Sequence, residues 1–159
     1  MTNIGINTGL DANARNSVAE ALNGVLADTY VLYQKTHAYH WNVTGPQFPY
    51  LHTMFEMQYR EMWAALDEIA ERVRALGVFA PASGRVFASL ASIESAEEKP
   101  PSAKDMVENL LDGHEALIRR ARKALETAGE AGDAASEDLL TVRIQTHEKT
   151  AWMLRATAE

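Results

Sequence analysis

A chain of 159 residues with 47% hydrophobic and 23% charged side chains suits one globular domain able to bury a core without covalent staples. Its formal net charge of −7 argues against a general nucleic-acid binder, whose affinity rests on Lys and Arg neutralising phosphates, and leaves room for cation binding. The absence of cysteine excludes disulfides and thiolate metal sites. There is no apolar run of roughly eighteen residues, so no membrane span is expected.

The opening stretch, MTNIGINTGLDANARN, carries only Asp11 and Arg15 as charges, so it is neither an export signal nor a basic arm. Residues 1–10 read as a flexible tail, and the cytoplasm is the expected location. From about Asp11 to Trp41 apolar residues recur at Val18, Leu22, Val25, Leu26, Leu32 and Tyr33, the spacing of one helix face. Ser17 and Glu20 could form a capping box, with Asp11 the alternative start. A second helix is expected from Phe48 to Leu76, with Pro49 tolerated in its first turn and Gly77 as its stop. A third follows Pro100-Pro101, signalled by Ser102 and Asp105, and runs to about Ala128. A fourth starts near Asp133 or Ser136 and continues to about Ala156. No period-two alternation appears, so the fold class is all-α.

The connections set the topology. Short links join the first helix to the second and the third to the fourth, which forces antiparallel hairpins. Residues 78–101, VFAPASGRVFASLASIESAEEKPP, are long enough to carry the chain along the bundle, and RVFASLASI within them reads as a short helix. This is the one-crossover topology of a ferritin-like four-helix bundle, over residues 1–159 as one domain.

Around the first link, HAYHWNVTGPQFPYLH holds three of the five histidines. On the second helix His52, Glu56, Asp67 and Glu71 fall within an arc of roughly 100°. A row of carboxylates alone is ordinarily a solvated face. The histidine among them, and His40 just before the turn, make it a ligand set for non-haem iron, zinc or manganese. The row cannot close on one metal, because His52 and Glu71 lie roughly 28 Å apart along a helix. His52/Glu56 and Asp67/Glu71 are equidistant from a centre near residue 61 or 62. Two copies packed antiparallel about a two-fold axis there would bring each pair opposite the other. Any two such pairs obey this arithmetic, so it shows only that an intersubunit site is geometrically available. The residues three before each histidine are Gln34, His37, Pro49, Leu111 and Ile144. No Glu-x-x-His exists, which disfavours the usual intrachain di-iron pattern.

KTHAYHWNVTGPQFPYLHTMFEMQYREMWAALDEIAERVRALG resembles the signature segment of the Dps proteins, dodecameric miniferritins named for protecting DNA in starved cells. HEKTAWMLRA resembles their final-helix motif, so the likeness covers nearly the whole chain. It implies a di-iron ferroxidase centre shared by two subunits, with His40, His52 and Glu56 facing Asp67 and Glu71 of the neighbour. Glu56 stands where the family commonly has Asp. The implied chemistry is oxidation of Fe(II), preferentially by hydrogen peroxide, with Glu71 bridging two irons and ferric mineral stored in a hollow shell.

The resemblance also makes Trp41 a candidate electron relay, compatible with a packing role, and Asp133 and Asp138 candidates for an iron-entry pore. Asp133, Glu137 and Asp138 equally suit a helix N-terminus. His37 could support the site from outside it. Tyr39, Tyr59 and Trp63 read as packing residues, and His114 and His147 as helix-surface or packing residues. Two other functions remain open: a nucleoid-associated DNA-compacting protein, weakly supported because only Lys149 and Arg155 lie near the C-terminus, and a structural helical oligomer with an inactive site.

Overall fold

The computed structural model describes residues 5–159, and in them five helices and no strand: α1 Ala12–Asn42, α2 Phe48–Ala75, α3 Gly84–Leu90, α4 Ala103–Glu130 and α5 Ala134–Ala158. The caps decide the boundaries that sequence spacing left open. Asp11 caps α1, its carboxylate accepting from Ala14 N–H at 2.9 Å, so the helix starts a turn and a half before the Ser17/Glu20 alternative. Ser102 caps α4 by accepting from Asp105 N–H at 3.2 Å, and Asp133, not Ser136, caps α5.

Packing follows the lengths of the connections. Residues 43–47 fold α2 back on α1, residues 131–133 fold α5 back on α4, and α1 lies against α4 between the two hairpins. The expected α1 face is buried at Val18, Leu22, Val25, Leu26 and Leu32, while Tyr33, at its edge, is only half-buried. Leu51, Phe55 and Ile69 of α2, Leu117 of α4 and Leu140 of α5 complete the same core.

The long crossing is anchored rather than loose. Its helix α3 stacks Phe87 on Tyr30 of α1 at 4.2 Å, and Ser92 donates from N–H and Oγ to the buried Asp28 at 2.6 and 2.8 Å. Asp28 also meets Arg120 of α4 at 3.1 Å, so one carboxylate ties α1, α4 and the crossing together. At the end of α2, Gly77 has φ 92°, and a Cβ there would lie 2.3 Å from Ile6. Of the expected flexible tail, residues 1–4 lie outside the described residues, whereas Leu10 packs on the core and its carbonyl accepts from Arg15. Among the described residues, no helix is long and apolar enough to cross a membrane.

Candidate metal centre

The turn between α1 and α2 positions the first candidate ligands. Gly45 takes φ 103°, its carbonyl accepts from Phe48 N–H at 3.0 Å, and Pro49 sits in the first turn of α2, where its missing N–H costs nothing. The reversal lays the last turn of α1 beside the first turn of α2. His40 Nδ1 bonds the backbone carbonyl of His52 at 2.8 Å, and His52 Nδ1 bonds that of His40 at 2.9 Å. The two rings stack with centroids 3.8 Å apart. A carbonyl can only accept, so each Nδ1 carries a proton, and in the neutral ring Nε2 keeps the lone pair, with no hydrogen-bond partner among the described residues. That is the form in which histidine ligates a metal, with its tautomer set by the bond at the other nitrogen.

Glu56 stands one turn along α2, half-exposed, with Oε1 held by Arg60 Nε at 2.8 Å and Nη2 at 2.7 Å. Asp67 and Glu71 lie further along, both exposed and without an ion pair among the described residues. No three His, Asp or Glu side chains among the described residues converge on a point able to hold a metal. One chain therefore brings His40 and His52 together with Glu56 nearby, and leaves Asp67 and Glu71 apart from them. The donor types fit iron: imidazole suits Fe(II) and carboxylate suits Fe(III).

The other candidates fall in different places. Trp41 is 65% exposed, with its ring 4.1 Å from that of His37. His37 makes no hydrogen bond to His40 or His52; it stacks on Tyr59 at 3.9 Å and meets the Tyr33 hydroxyl at 3.3 Å. Trp63 is 63% exposed, with its ring 5.5 Å from that of Tyr33. Asp138 is exposed, but Asp133 is buried, with Arg72 donating to its two oxygens at 2.6 and 2.8 Å and Ser136 Oγ donating at 2.6 Å. Burial pushes the Asp133 carboxyl up, but the bonds from Arg72 and Ser136 and the charge of Arg72 outweigh it and hold it below the usual carboxylate range. Both of its oxygens are thus engaged within the chain.

A buried polar row also runs through the bundle. Arg143 pairs with Glu61 and donates to His147 Nε2 at 3.0 Å, and His147 Nδ1 lies 2.8 Å from His114 Nδ1. Arginine only donates, so His147 accepts at Nε2 and donates from Nδ1, and His114 keeps its own proton on Nε2. Burial first, then the nearby Arg143 charge, lowers the His114 pKa to about 3; burial, His114 and Arg143 likewise hold His147 well below the ordinary value. Sequence reading placed these histidines no better than packing or surface. Their positions among Leu110, Leu117, Leu140 and Ile144 were the available signal for burial.

Comparison with known proteins agrees with this architecture. A ferritin-like domain model matches residues 19–159. An uncharacterized low temperature-induced protein of Nostoc sp. is 43% identical, covering 97% of this chain and 87% of its own. DNA protection during starvation protein 2 of Bacillus anthracis is 40% identical, covering 87% and 94% respectively. The crystal structure of the Dps protein of Vibrio cholerae O1, described as a member of a broad superfamily of ferritin-like diiron-carboxylate proteins, superposes with a TM-score of 0.93. It is 33% identical and covers 100% of both chains.

Proposed function

Since the chain belongs to the ferritin-like family, and within it to the Dps proteins, we propose that it is a ferroxidase and iron-storing miniferritin whose reaction is completed between two subunits. The reading takes residues 1–159 as one domain. The observation that carries it is the His40–His52 pair, whose Nδ1 atoms are both occupied by carbonyls and whose Nε2 atoms have no hydrogen-bond partner among the described residues. Two rigidly held imidazoles at the mouth of a carboxylate-bearing helix are an incomplete ligand set for iron. Asp67 and Glu71 of a second copy, packed antiparallel, complete it.

Iron is the substrate and supplies the electrons. Two Fe(II) give one electron each to hydrogen peroxide, which takes up two protons and leaves as two waters, so no hydroxyl radical is released. The chain's part is to bind and orient. His40 and His52 donate through Nε2 to Fe(II), Glu56 swings from Arg60 to the metal, and the neighbour's Asp67 and Glu71 favour the ferric charge, with Glu71 bridging. Peroxide as the preferred oxidant, a twelve-subunit shell and ferric mineral inside it belong to the same proposal. So do entry of Fe(II) past Asp138, a cytoplasmic location and protection against oxidative damage.

Anaerobic loading with Fe(II) followed by peroxide tests the reading. His52→Ala and Asp67→Ala should each oxidise iron far more slowly than the parent. Parent-like rates in either contradict the site. DNA compaction, the competing role that names such as DNA protection during starvation protein 2 bring to mind, meets a net charge of −7. Retention of DNA in a low-salt gel shift would favour it.

A further inference from the structure

Outside the ligand set, a run of aromatic rings leads away from His40. Tyr59 meets His40 edge-on at 5.2 Å and lies flat on His37 at 3.9 Å. Tyr33 follows, 6.3 Å from Tyr59 and 5.5 Å from Trp63, with Tyr30 a further 6.4 Å on. His37 also carries a branch to Trp41 at 4.1 Å. Rings in such contact can pass single electrons, so the question is where an oxidising equivalent would come to rest.

A phenol loses its proton when it is oxidised, and a base hydrogen-bonded to the hydroxyl makes that loss easy. The three tyrosines of the run differ in this respect. Tyr33 has its hydroxyl 3.3 Å from Nδ1 of His37, an acceptor when the ring proton is on Nε2. Tyr30 receives a bond from the Gln34 amide nitrogen at 3.2 Å, and that nitrogen is a donor, so the phenolic proton has no base there. The Tyr59 hydroxyl has the Arg60 guanidinium beside it, a donor and not a base. Trp41, 65% exposed, would shed its proton to water.

We propose that Tyr33, with His37 as its proton acceptor, is a one-electron donor that completes the reduction of peroxide when the iron site holds a single Fe(II). The inference rests on the iron-oxidising reading of that site. The balance is one peroxide, one Fe(II), one Tyr33 phenol and one solvent proton, giving one Fe(III), one neutral tyrosyl radical and two waters. The phenolic proton moves to His37 and from there to one of the waters. A lone Fe(II) would otherwise split peroxide to hydroxide and a hydroxyl radical; here the second electron arrives through Tyr59 from Tyr33, and the damage is confined to one phenol.

Electron paramagnetic resonance tests this in two arms. In the first, iron-free protein is oxidised by a photogenerated one-electron oxidant; in the second, protein loaded anaerobically with one Fe(II) per site receives peroxide and is freeze-quenched. A tyrosyl signal is expected in both arms for the parent and for Trp41→Phe. It should be lost in Tyr33→Phe, which keeps the ring and only removes the hydroxyl, and reduced in His37→Gln. A signal that survives Tyr33→Phe, a tryptophanyl signal lost in Trp41→Phe, or no radical in the parent overturns the proposal. Iron oxidation without a radical would leave the ferroxidase reading standing. Tyr33 radical formation in the iron-free arm with no iron oxidation in the other would overturn both.

Discussion

His40 and His52 hold one another by exchange, each Nδ1 bonded to the other's backbone carbonyl at 2.8 and 2.9 Å across the α1–α2 turn. The same two bonds fasten the helix ends and orient both Nε2 lone pairs. Structure and the proposed metal affinity are therefore joined at this point.

That joining predicts a double effect of substitution. His52→Ala should remove one ring bond and cost about 1 kcal/mol of stability, while the helix content stays unchanged. Binding of a redox-inert divalent ion such as Zn(II), followed by calorimetry, should fall much further than that small loss would suggest. Equal affinity in parent and variant would separate the ring from the site.

Arg60 engages Oε1 of Glu56 from two nitrogens, so a metal drawing on that oxygen in the proposed site would have to displace the guanidinium. The pair is exposed at Arg60, so Arg60→Ala should leave the thermal midpoint within error of the parent. Fe(II) binding under anaerobic conditions should tighten, because no guanidinium has to be displaced. Weaker binding in Arg60→Ala would mean that Arg60 positions Glu56 for the metal.

Asp133 and Asp138 should separate by the kind of measurement they affect. Asp133→Ala leaves Arg72 without its buried partner and α5 without its cap, at a cost of about 3 kcal/mol. Asp138→Asn should keep the parent's thermal midpoint and slow the uptake of Fe(II) into the assembled shell. If Asp133→Ala unfolds with the parent, its ion pair contributes little.

The buried histidines set a pH dependence. His114 and His147 have folded-state pKa values below that of an unfolded histidine, so the unfolded chain binds more protons at mildly acidic pH. Their contribution is complete above pH ~6.5 and is lost as the pH falls from there toward about 3, the folded value of His114, at up to about 1.4 kcal/mol per pH unit for each proton. Denaturant midpoints measured from pH 7 to pH 5 should fall for the parent and fall less steeply for His114→Gln. A flat parent profile would contradict the neutral buried pair.

Much of this architecture was legible in the sequence because it depends on periodicity and chain length. The α1 face from Val18 to Leu32, the stops at Gly77 and Pro100-Pro101, and the long crossing with its short helix follow from spacing and from the reach of each connection. The row of candidate ligands on α2 was visible for the same reason. Contacts between residues far apart in sequence were not. Arg72 with Asp133, and Arg143 with Glu61 and His147, depend on the rotation of whole helices about their axes, which no local pattern encodes. The His40–His52 exchange escaped sequence reading too, since it depends on side-chain torsions on either side of the Gly45 turn.

The central claim is that ligands from two chains make one site, and a complementation experiment tests it most directly. Subunits carrying His52→Ala are unfolded and reassembled with subunits carrying Asp67→Ala, and mixed assembly is confirmed by mass. Each mixed dimer then has one site lacking both side chains and one with neither lost, so peroxide-driven Fe(II) oxidation should return to a level absent from either parent variant alone. Confirmed mixed dimers with no recovery would contradict a site shared between subunits.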